Sequence, residues 1–257
     1  MNENISVVII AKNEEETIRR CLESVKDLAD EIIVVDDFST DKTVEIVQSL
    51  GAKVFRRNLD NNFSAQRNFG VEKANNEWIL FLDADEFIPL DLKKEIQSRL
   101  GKENYVAYLI EIRNYFYGHL LRYAGIKGYK LRLFKKGYAW YESDVHEELI
   151  VKGPIGKMKN FFIHYIPESI DKLFLKSLKY AEIQANNYLK DREVSSKEIK
   201  YRLTWKALKL FWKLYIKKKG YKDGMYGLVW AILNVMGPEI RWLKIWEKAL
   251  KDGKIDE

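Results

Sequence analysis

Acidic side chains follow two apolar runs of this sequence, at the point where each run ends. Asp36 and Asp37 close one run of β-branched residues, and Asp83 and Asp85 close another apolar run. If the chain stays extended past the second run, Asp83 and Asp85 point to the same side, where two carboxylates can share one cation. Hard oxygen ligands of this kind suit Mg²⁺ or Mn²⁺, which would bridge to a substrate diphosphate. Two such pairs favour a metal–nucleotide site over the simpler interpretation, in which acids after strands cap the next helix.

The glycine-rich phosphate loops of other nucleotide-binding folds are missing from this sequence. Its first glycine is Gly51, so neither a Gly-x-Gly-x-x-Gly turn nor the Gly-rich first loop of sugar nucleotidyltransferases follows the first apolar run. There is no Walker loop either. Side chains and the metal must therefore hold any nucleotide.

Alternating strands and helices are predicted to position the acids. Runs that are apolar on both faces are typical of central parallel strands, and a helical period separates the first two of them. The predicted strands are residues 5–11, 31–36, 53–55 and 78–82. This alternation predicts an α/β fold with an open, mostly parallel sheet flanked by helices, in which ligands bind at the carboxyl ends of the strands. Both acidic pairs lie at those ends.

Four blocks within the first hundred residues resemble the family-2 glycosyltransferases, at family-like spacing. The blocks are Val-Val-Ile-Ile-Ala-Lys-Asn-Glu-Glu, Val-Val-Asp-Asp-Phe-Ser-Thr-Asp-Lys-Thr, Ala-Gln-Arg-Asn-Phe-Gly and Phe-Leu-Asp-Ala-Asp-Glu. The resemblance implies a GT-A fold, an inverting mechanism and a nucleotide-diphospho-sugar donor, with a UDP-sugar favoured.

The resemblance also implies which residues surround the nucleoside. Asp37 would contact the uracil of a UDP-sugar, and the backbone near Ala11 and Asn13 would line that pocket. Glu14 matches the family pattern as well, and we expect it only to pack around the pocket.

The third and fourth blocks would contact the remainder of the donor. Arg67 and Asn68 would approach the nucleotide. The Asp83-Ala84-Asp85 sequence corresponds to the DXD motif, in which Asp83 would lie near the ribose and sugar while Asp85 would hold the metal.

An inverting sugar transfer also needs a base that deprotonates the acceptor hydroxyl. Residues 140–148 are the candidate segment, because they follow a predicted strand that bears an arginine and hold several acids beside a Trp and a Tyr. Similar blocks occur in a branch resembling lipopolysaccharide-core β-glucosyltransferases, where the implied base is the acid after the histidine, here Glu147. Glu148 and Asp144 are its rivals, and His146 is expected to orient a phosphate or ligate the metal.

Two further residues have two interpretations each. Arg132 could meet the donor diphosphate as a bidentate donor, or it could be a charge on the surface of a strand. His164 follows apolar residues, and it could be a late metal or phosphate ligand or a histidine satisfied within the core.

Charge divides the chain into two parts. The first 100 residues carry 13 Lys and Arg against 20 Asp and Glu, whereas the remaining residues carry 31 against 18. We expect a nucleotide-sugar-binding and catalytic domain over residues 1–166 and a basic, aromatic-rich helical extension over residues 167–257. The acids suit a carboxylate-using site, and the basic extension suits an anionic partner.

The extension contains a basic amphipathic segment. Its apolar positions recur at intervals of four and three, at Tyr201, Trp205, Leu208, Trp212 and Tyr215. A basic helix with Trp and Tyr can lie on an anionic bilayer, which would make the protein a peripheral membrane protein. A helical bundle or a homodimer seam is the alternative. Nucleic acid is not expected as a partner, because no recognisable nucleic-acid module accompanies the basic residues.

Composition limits the class of protein. The chain has 257 residues and one cysteine, so it forms no intrachain disulfide, and Cys21 falls on the apolar face of a predicted helix. No secretory signal is recognisable, and the longest charge-free stretch, residues 224–238, is shorter than the ~20 residues that a membrane-spanning helix needs. We expect a cytoplasmic location, with contact at the inner face of the membrane.

The sequence thus predicts a metal-assisted, inverting hexosyltransferase that moves a sugar from a nucleotide-diphospho-sugar donor to a cell-surface glycan or lipid-linked acceptor. Two other classes are compatible with parts of it. Paired acids after strands also build phospho-acceptor signalling modules, although these need a late-strand Thr or Ser and a Lys in a smaller unit. A membrane-surface scaffold without catalysis would use the basic extension alone.

Overall fold

The structure is a computed structural model that describes residues 3–60, 62–125, 128–142, 148–166, 169–190 and 192–256, with only the backbone of residues 176 and 256. The strands in chain order are β1 (Ile5–Ala11), β2 (Glu31–Asp36), β3 (Lys53–Arg56), β4 (Trp78–Asp83), β5 (Glu86–Phe87), β6 (Ala107–Phe116), β7 (His119–Leu120), β8 (Gly128–Lys135), β9 (Ala139–Glu142), β10 (Glu148–Val151), β11 (Ile155–Ile166), β12 (Val194–Ser195) and β13 (Ile255–Asp256).

Helices connect and follow these strands. In chain order they are α1 (Ile18–Val25), α2 (Thr43–Ser49), α3 (Phe63–Lys73), α4 (Leu90–Arg99), α5 (Ile170–Leu189), α6 (Ser196–Tyr201), α7 (Ala207–Phe211) and α8 (Gly224–Lys251). Two π-helical segments, Arg202–Lys206 and Trp212–Lys217, flank α7, and a 3₁₀ turn at Gly220–Asp223 precedes α8.

Chain contacts divide the protein into two compact units. Unit 1 comprises Met1–Asn114 and Lys127–Tyr165, and unit 2 comprises Tyr115–Ile126 and Ile166–Glu257.

The parallel half of the unit 1 sheet brings the acidic residues to one edge. Its order is β3–β2–β1–β4, and all three pairings are parallel. On the two sides of β1, Ala11 pairs with Asp36 and Ile10 pairs with Asp83. The carboxyl ends of β2 and β4 therefore lie level with each other, as the sequence predicts.

The antiparallel half continues the sheet as β8–β6–β11–β5. Strand β8 runs antiparallel to β4, with Leu133 opposite Leu80, which carries Arg132 toward the end of β4. Strand β11 pairs antiparallel with β5, where His164 lies opposite Glu86. Basic and imidazole side chains from distant parts of the sequence therefore reach the same edge as the acids.

Burial on both faces of the sheet explains its apolar strands. Strands β1, β2 and β4 are covered on both sides, by two separate clusters of buried side chains. Helix α1 buries Ile18, Cys21, Leu22 and Val25, so the prediction that Cys21 is a core residue is confirmed. The predicted α/β class, with helices flanking the sheet and a helical region at the C-terminal end of the sequence, is also confirmed.

Unit 2 is built on the long helices α5 and α8. One cluster packs Ala185 and Leu189 of α5 against Trp242 and Ile245 of α8. At the start of α8, the buried carboxylate of Asp223 accepts hydrogen bonds from three successive backbone N–H groups, at residues 122–124. No helix among the described residues is long and apolar enough to span a bilayer.

Candidate active site

A buried guanidinium joins two carboxylates at the end of β4. Arg132 Nη2 lies 2.6 Å from Asp83 Oδ2 and 2.8 Å from Glu86 Oε1, and its side chain is 4% exposed. Arg67 Nη2 donates to the other oxygen of Asp83 at 3.1 Å, and Lys130 Nζ lies 3.8 Å from Glu86. Three cations therefore face two carboxylates. The interpretation of Arg132 as a strand-surface charge is wrong, because its side chain is buried between the acids.

Glu86 is the member of this cluster that sequence reasoning missed. Its side chain is 1% exposed, and Oε2 accepts a hydrogen bond from the backbone N–H of Asp83 at 3.0 Å. The only sequence signal is its position immediately after the Asp-x-Asp motif. Its burial depends on the return of the chain into β5, which local periodicity does not report.

The cluster shifts the ionisation of its members in opposite directions. Burial, reinforced by the negative charge of Asp83 and only partly offset by Arg132, raises the pKa of Glu86 to about 7. Burial also opposes the ionised form of Asp83, but the positive charges of Arg132 and Arg67 outweigh it and hold the pKa of Asp83 well below its usual range. Asp83 is therefore the permanent anion, and Glu86 titrates near neutral pH.

Asp85 faces a different partner. Residues 84 and 85 form a turn between β4 and β5, so the chain does not stay extended after Asp83, and the expectation that both aspartates point to one side fails. The Oδ2 atom of Asp85 lies 3.1 Å from His164 Nε2, and His164 Nδ1 lies 3.0 Å from Asn114 Nδ2. Burial opposes protonation of His164, but hydrogen bonding to Asp85 and its charge outweigh this and raise the pKa of the imidazole.

The acids after β2 anchor neighbouring loops. Asp37 is buried, and its carboxylate accepts from the backbone N–H of Leu59 at 3.0 Å and from Lys12 Nζ at 2.6 Å. The Lys12 side chain is 58% exposed. Asp36 is fully buried, and its carboxylate accepts a hydrogen bond from the backbone N–H of Ser39.

The loop after β1 is tied to the loop after β2. Ala11 is buried, and Asn13, with a positive φ of 54°, accepts a hydrogen bond from the backbone N–H of Thr40 at 2.8 Å. The N–H of Glu14 donates to Thr43 Oγ1 at 2.7 Å. These bonds fix the rim of the sheet edge where Asp37 lies.

Helix α3 supplies Arg67 and Asn68. The guanidinium of Arg67 lies over the ring of Phe81, 4.4 Å from its centre. Asn68 exchanges two hydrogen bonds of 2.9 Å with the backbone N–H and C=O of Tyr141, which fastens β9 to α3. On the side that faces the sheet, Gly70 permits the close approach of α3 to β1, because a Cβ atom there would lie 2.5 Å from Cγ1 of buried Val8.

A cleft of about 420 Å³ opens beside the cluster. It is lined by Arg67, Lys130, Arg132, Tyr141 and Glu148 among others. Of the residues predicted to supply the base, Glu148 is exposed at the start of β10. Asp144, Glu147 and His146 lie outside the described residues.

Ala84 is buried in the turn between the two aspartates. Among the described residues, no group of three or more His, Cys, Asp or Glu side chains is gathered as a metal site.

Comparison with known proteins identifies the class. The model of the family "Glycosyl transferase family 2" matches residues 6–148, more than half of the chain. An uncharacterized glycosyltransferase of Rickettsia typhi is 30% identical over 98% of this chain and 89% of its own length. The chain therefore belongs to glycosyltransferase family 2. It is an enzyme that transfers a sugar from a nucleotide-sugar donor, so the signalling-module and scaffold alternatives are set aside.

Two further proteins are similar to this chain. The lipopolysaccharide core biosynthesis glycosyltransferase LpsC of Rhizobium meliloti is 27% identical over 96% of this chain and 94% of its own length. Among solved structures, glucosyl-3-phosphoglycerate synthase from Mycobacterium tuberculosis, in complex with Mn²⁺, UDP and glucosyl-3-phosphoglycerate, matches 45% of this chain and 45% of its own. That match has a TM-score of 0.36 and 25% sequence identity.

Replacing Glu86 with glutamine is predicted to make folding less sensitive to rising pH. The pKa of Glu86 lies at about 7 in the folded protein against an ordinary value of 4.5, so the folded state binds this proton more tightly. The stabilising contribution of that proton is complete below the ordinary pKa and is lost as the pH rises through the folded pKa. From about pH 5 to about pH 8, the wild type should lose up to about 3 kcal/mol of unfolding free energy relative to Glu86→Gln.

Urea unfolding in EDTA at several pH values measures this difference. Glu72→Gln, at an exposed position of α3, is the control and should follow the wild type at every pH. Parallel stability curves for Glu86→Gln and the wild type would contradict the raised pKa.

Proposed function

We propose that this enzyme is an inverting, metal-assisted transferase that moves a sugar from a UDP-sugar to a cell-surface glycan or a lipid-linked acceptor. The observation that carries the proposal is the cleft lined by Arg67, Lys130 and Arg132, with Glu148 on its wall. Two of these cations, Arg67 and Arg132, pair with Asp83. A cationic cleft at the carboxyl end of parallel strands suits a diphosphate leaving group.

The donor diphosphate would bind on the side of the cluster that faces the cleft. Three cations against two carboxylates leave one positive charge in excess, and two when Glu86 is protonated. The Nε of Arg132 is buried and has no hydrogen-bond partner among the described residues, so this guanidinium still has a donor to offer. Asp83, whose side chain is 34% exposed, is placed for contact with the ribose or sugar.

The residues at the turn fit a divalent cation. Asp85 offers a partly exposed carboxylate, and His164 lies beside it with its ring oriented by Asn114. Mg²⁺ or Mn²⁺ bound in proteins commonly uses one or two carboxylates and completes its ligand set with substrate phosphates and water, so a preformed cage is not needed. When bound, the cation would neutralise charge that develops on the leaving diphosphate.

The nucleoside would lie over the rim formed by Ala11, Asn13 and Glu14. Asp37 is held in place by the N–H of Leu59, and its second oxygen contacts only the exposed Lys12 among the described residues. Because the Lys12 side chain is 58% exposed, it can return to solvent when another donor takes its place on the buried Asp37. The N–H group of a uracil could therefore replace Lys12 on Asp37. Asn68 would act indirectly, by holding the strand that bears Tyr141.

A carboxylate of residues 144–148 would be the general base. Glu148 supports this assignment, because it lines the same cleft as Arg132 and is exposed. Glu147 and Asp144 remain candidates with it, and His146 is the neighbouring group that would orient a phosphate or ligate the cation.

The acceptor would be membrane-proximal. LpsC, by its name, acts in lipopolysaccharide core biosynthesis. In unit 2, Tyr201, Trp205, Leu208 and Trp212 form a row of exposed apolar side chains, and Trp205 is 70% exposed. Exposed lysines occupy the intervening positions 206, 209 and 213. Exposed aromatic rings beside lysines suit the headgroup region of an anionic bilayer, and we propose that this row contacts it.

Calorimetric titration with UDP tests the donor site. The wild type should bind UDP in Mn²⁺ and lose most of that affinity in EDTA, because the cation links Asp85 to the diphosphate. Asp85→Asn should bind UDP at least about tenfold more weakly in Mn²⁺, the loss expected when a charged ligand contact is removed. Asp91→Asn, an exposed acid on α4, is the control and should behave as wild type.

The outcomes separate the parts of the proposal. Metal-dependent binding of GDP, CMP or dTDP in place of UDP would overturn the uridine preference and leave the transferase assignment intact. Equal UDP affinity in Mn²⁺ and EDTA would overturn the role of the cation.

Sedimentation with phosphatidylglycerol vesicles tests the membrane contact. Replacing both Trp205 and Trp212 with serine should weaken vesicle binding about tenfold, because two interfacial rings are lost. Trp246→Ser removes an exposed tryptophan of α8 from outside the row and should leave vesicle binding unchanged. No binding of the wild type, or equal losses in both variants, would contradict the membrane contact.

A further inference from the structure

Unit 2 contains a second cationic cleft, formed by the end of α5, the π-helical segment after α6 and the middle of α8. Its volume is about 550 Å³, and its lining includes Arg192, Arg202 and Arg241. None of the described residues that line it is a carboxylate. Guanidinium groups gathered around one cleft repel one another, and an anion bound among them would offset that repulsion.

One of the three arginines is held in a fixed position. Arg202 pairs with Glu198 at 2.9 Å, and its guanidinium lies over the ring of Trp242, 4.7 Å from the ring centre. Tyr188 packs edge-on against Trp242, and both rings line the cleft. Glu198 neutralises Arg202 and leaves the other two charges uncompensated.

The other two arginines have no carboxylate partner among the described residues. Arg241 donates to Gln184 Oε1 at 3.3 Å, a long hydrogen bond, and its Nε is buried without a hydrogen-bond partner in the described part of the chain. Arg192 is exposed, and its guanidinium lies 5.6 Å from the ring centre of Tyr188. A bound anion would supply the acceptors that these two guanidinium groups lack.

We propose that this cleft binds a phosphate monoester. A guanidinium presents two parallel N–H groups that match the oxygen atoms of a phosphate, and aromatic stacking holds such a group in place without using those donors. A dianion would balance the two uncompensated arginines. The same chemistry would take either a soluble phosphate ester or a phosphomonoester lipid headgroup. This inference does not rest on the proposed donor and acceptor, because every residue that carries it lies in unit 2.

Arginine side-chain NMR tests the site directly. In protein labelled with ¹⁵N-arginine, the Nε–H signals would be assigned with Arg192→Gln, Arg202→Gln and Arg241→Gln. Inorganic phosphate should shift the Arg241 and Arg192 signals saturably, with a Kd of about 1 mM or tighter. The signal of Arg122, an exposed arginine of unit 2 outside the cleft, should not move.

Arginine variants and a comparison of two lipid vesicles complete the test. Arg241→Gln and Arg192→Gln should each weaken phosphate binding about tenfold, whereas Arg122→Gln should not change it. Arg192 is exposed, so its variant remains informative if Arg241→Gln unfolds. A second experiment compares, by sedimentation, binding to vesicles of phosphatidic acid and of phosphatidylglycerol at equal charge. If the ligand is a lipid headgroup, the protein should prefer phosphatidic acid, and Arg192→Gln should remove that preference.

A saturable shift with free phosphate supports a soluble ester as the ligand, and a phosphatidic acid preference alone supports the lipid headgroup. Equal shifts of all arginine signals would overturn the proposal. So would the absence of any shift with inorganic phosphate together with the absence of a preference for phosphatidic acid vesicles.

Discussion

The candidate site depends on one buried contact, the guanidinium of Arg132 between Asp83 and Glu86. These two acids close β4 and open β5, whereas Arg132 comes from β8, about 50 residues later in the chain. A buried charge is costly unless it is paired, and removing one partner of such a group leaves the others uncompensated. The contact holds β8 against the end of β4, where the parallel and antiparallel halves of the sheet meet.

The same contact prepares the site for an anionic substrate. Arg132 and Arg67 keep Asp83 ionised and in a defined position, because each guanidinium pairs with a different oxygen of its carboxylate. The turn after Asp83 then directs Asp85 away, toward His164 on β11. Asp83 thus pairs with arginines, whereas Asp85 pairs with a histidine. Preorganised charges of this kind stabilise a leaving group without rearrangement during the reaction.

The sequence was sufficient to predict that the acids meet at one edge of the sheet, because parallel strands end level with one another and the acids directly follow them. It was also sufficient to predict which face of α1 is buried. It could not predict the burial of Glu86 or the capture of Asp83 by Arg132, because both depend on strand pairings between distant residues. The expectation that Asp83 and Asp85 point to the same side failed for a local reason, since the chain turns at residues 84 and 85. The side chain of Asn68 is engaged by the backbone of Tyr141, which no spacing in the sequence indicates.

We propose that a metal and the donor diphosphate meet at the turn after β4. Anomalous diffraction at the manganese edge, from crystals grown with Mn²⁺ and UDP, measures this most directly. We expect a single strong peak beside the Asp85 carboxylate, with the diphosphate on the cleft side of Arg132. A manganese peak remote from Asp85, or UDP bound away from the Arg132 cleft, would contradict the claim.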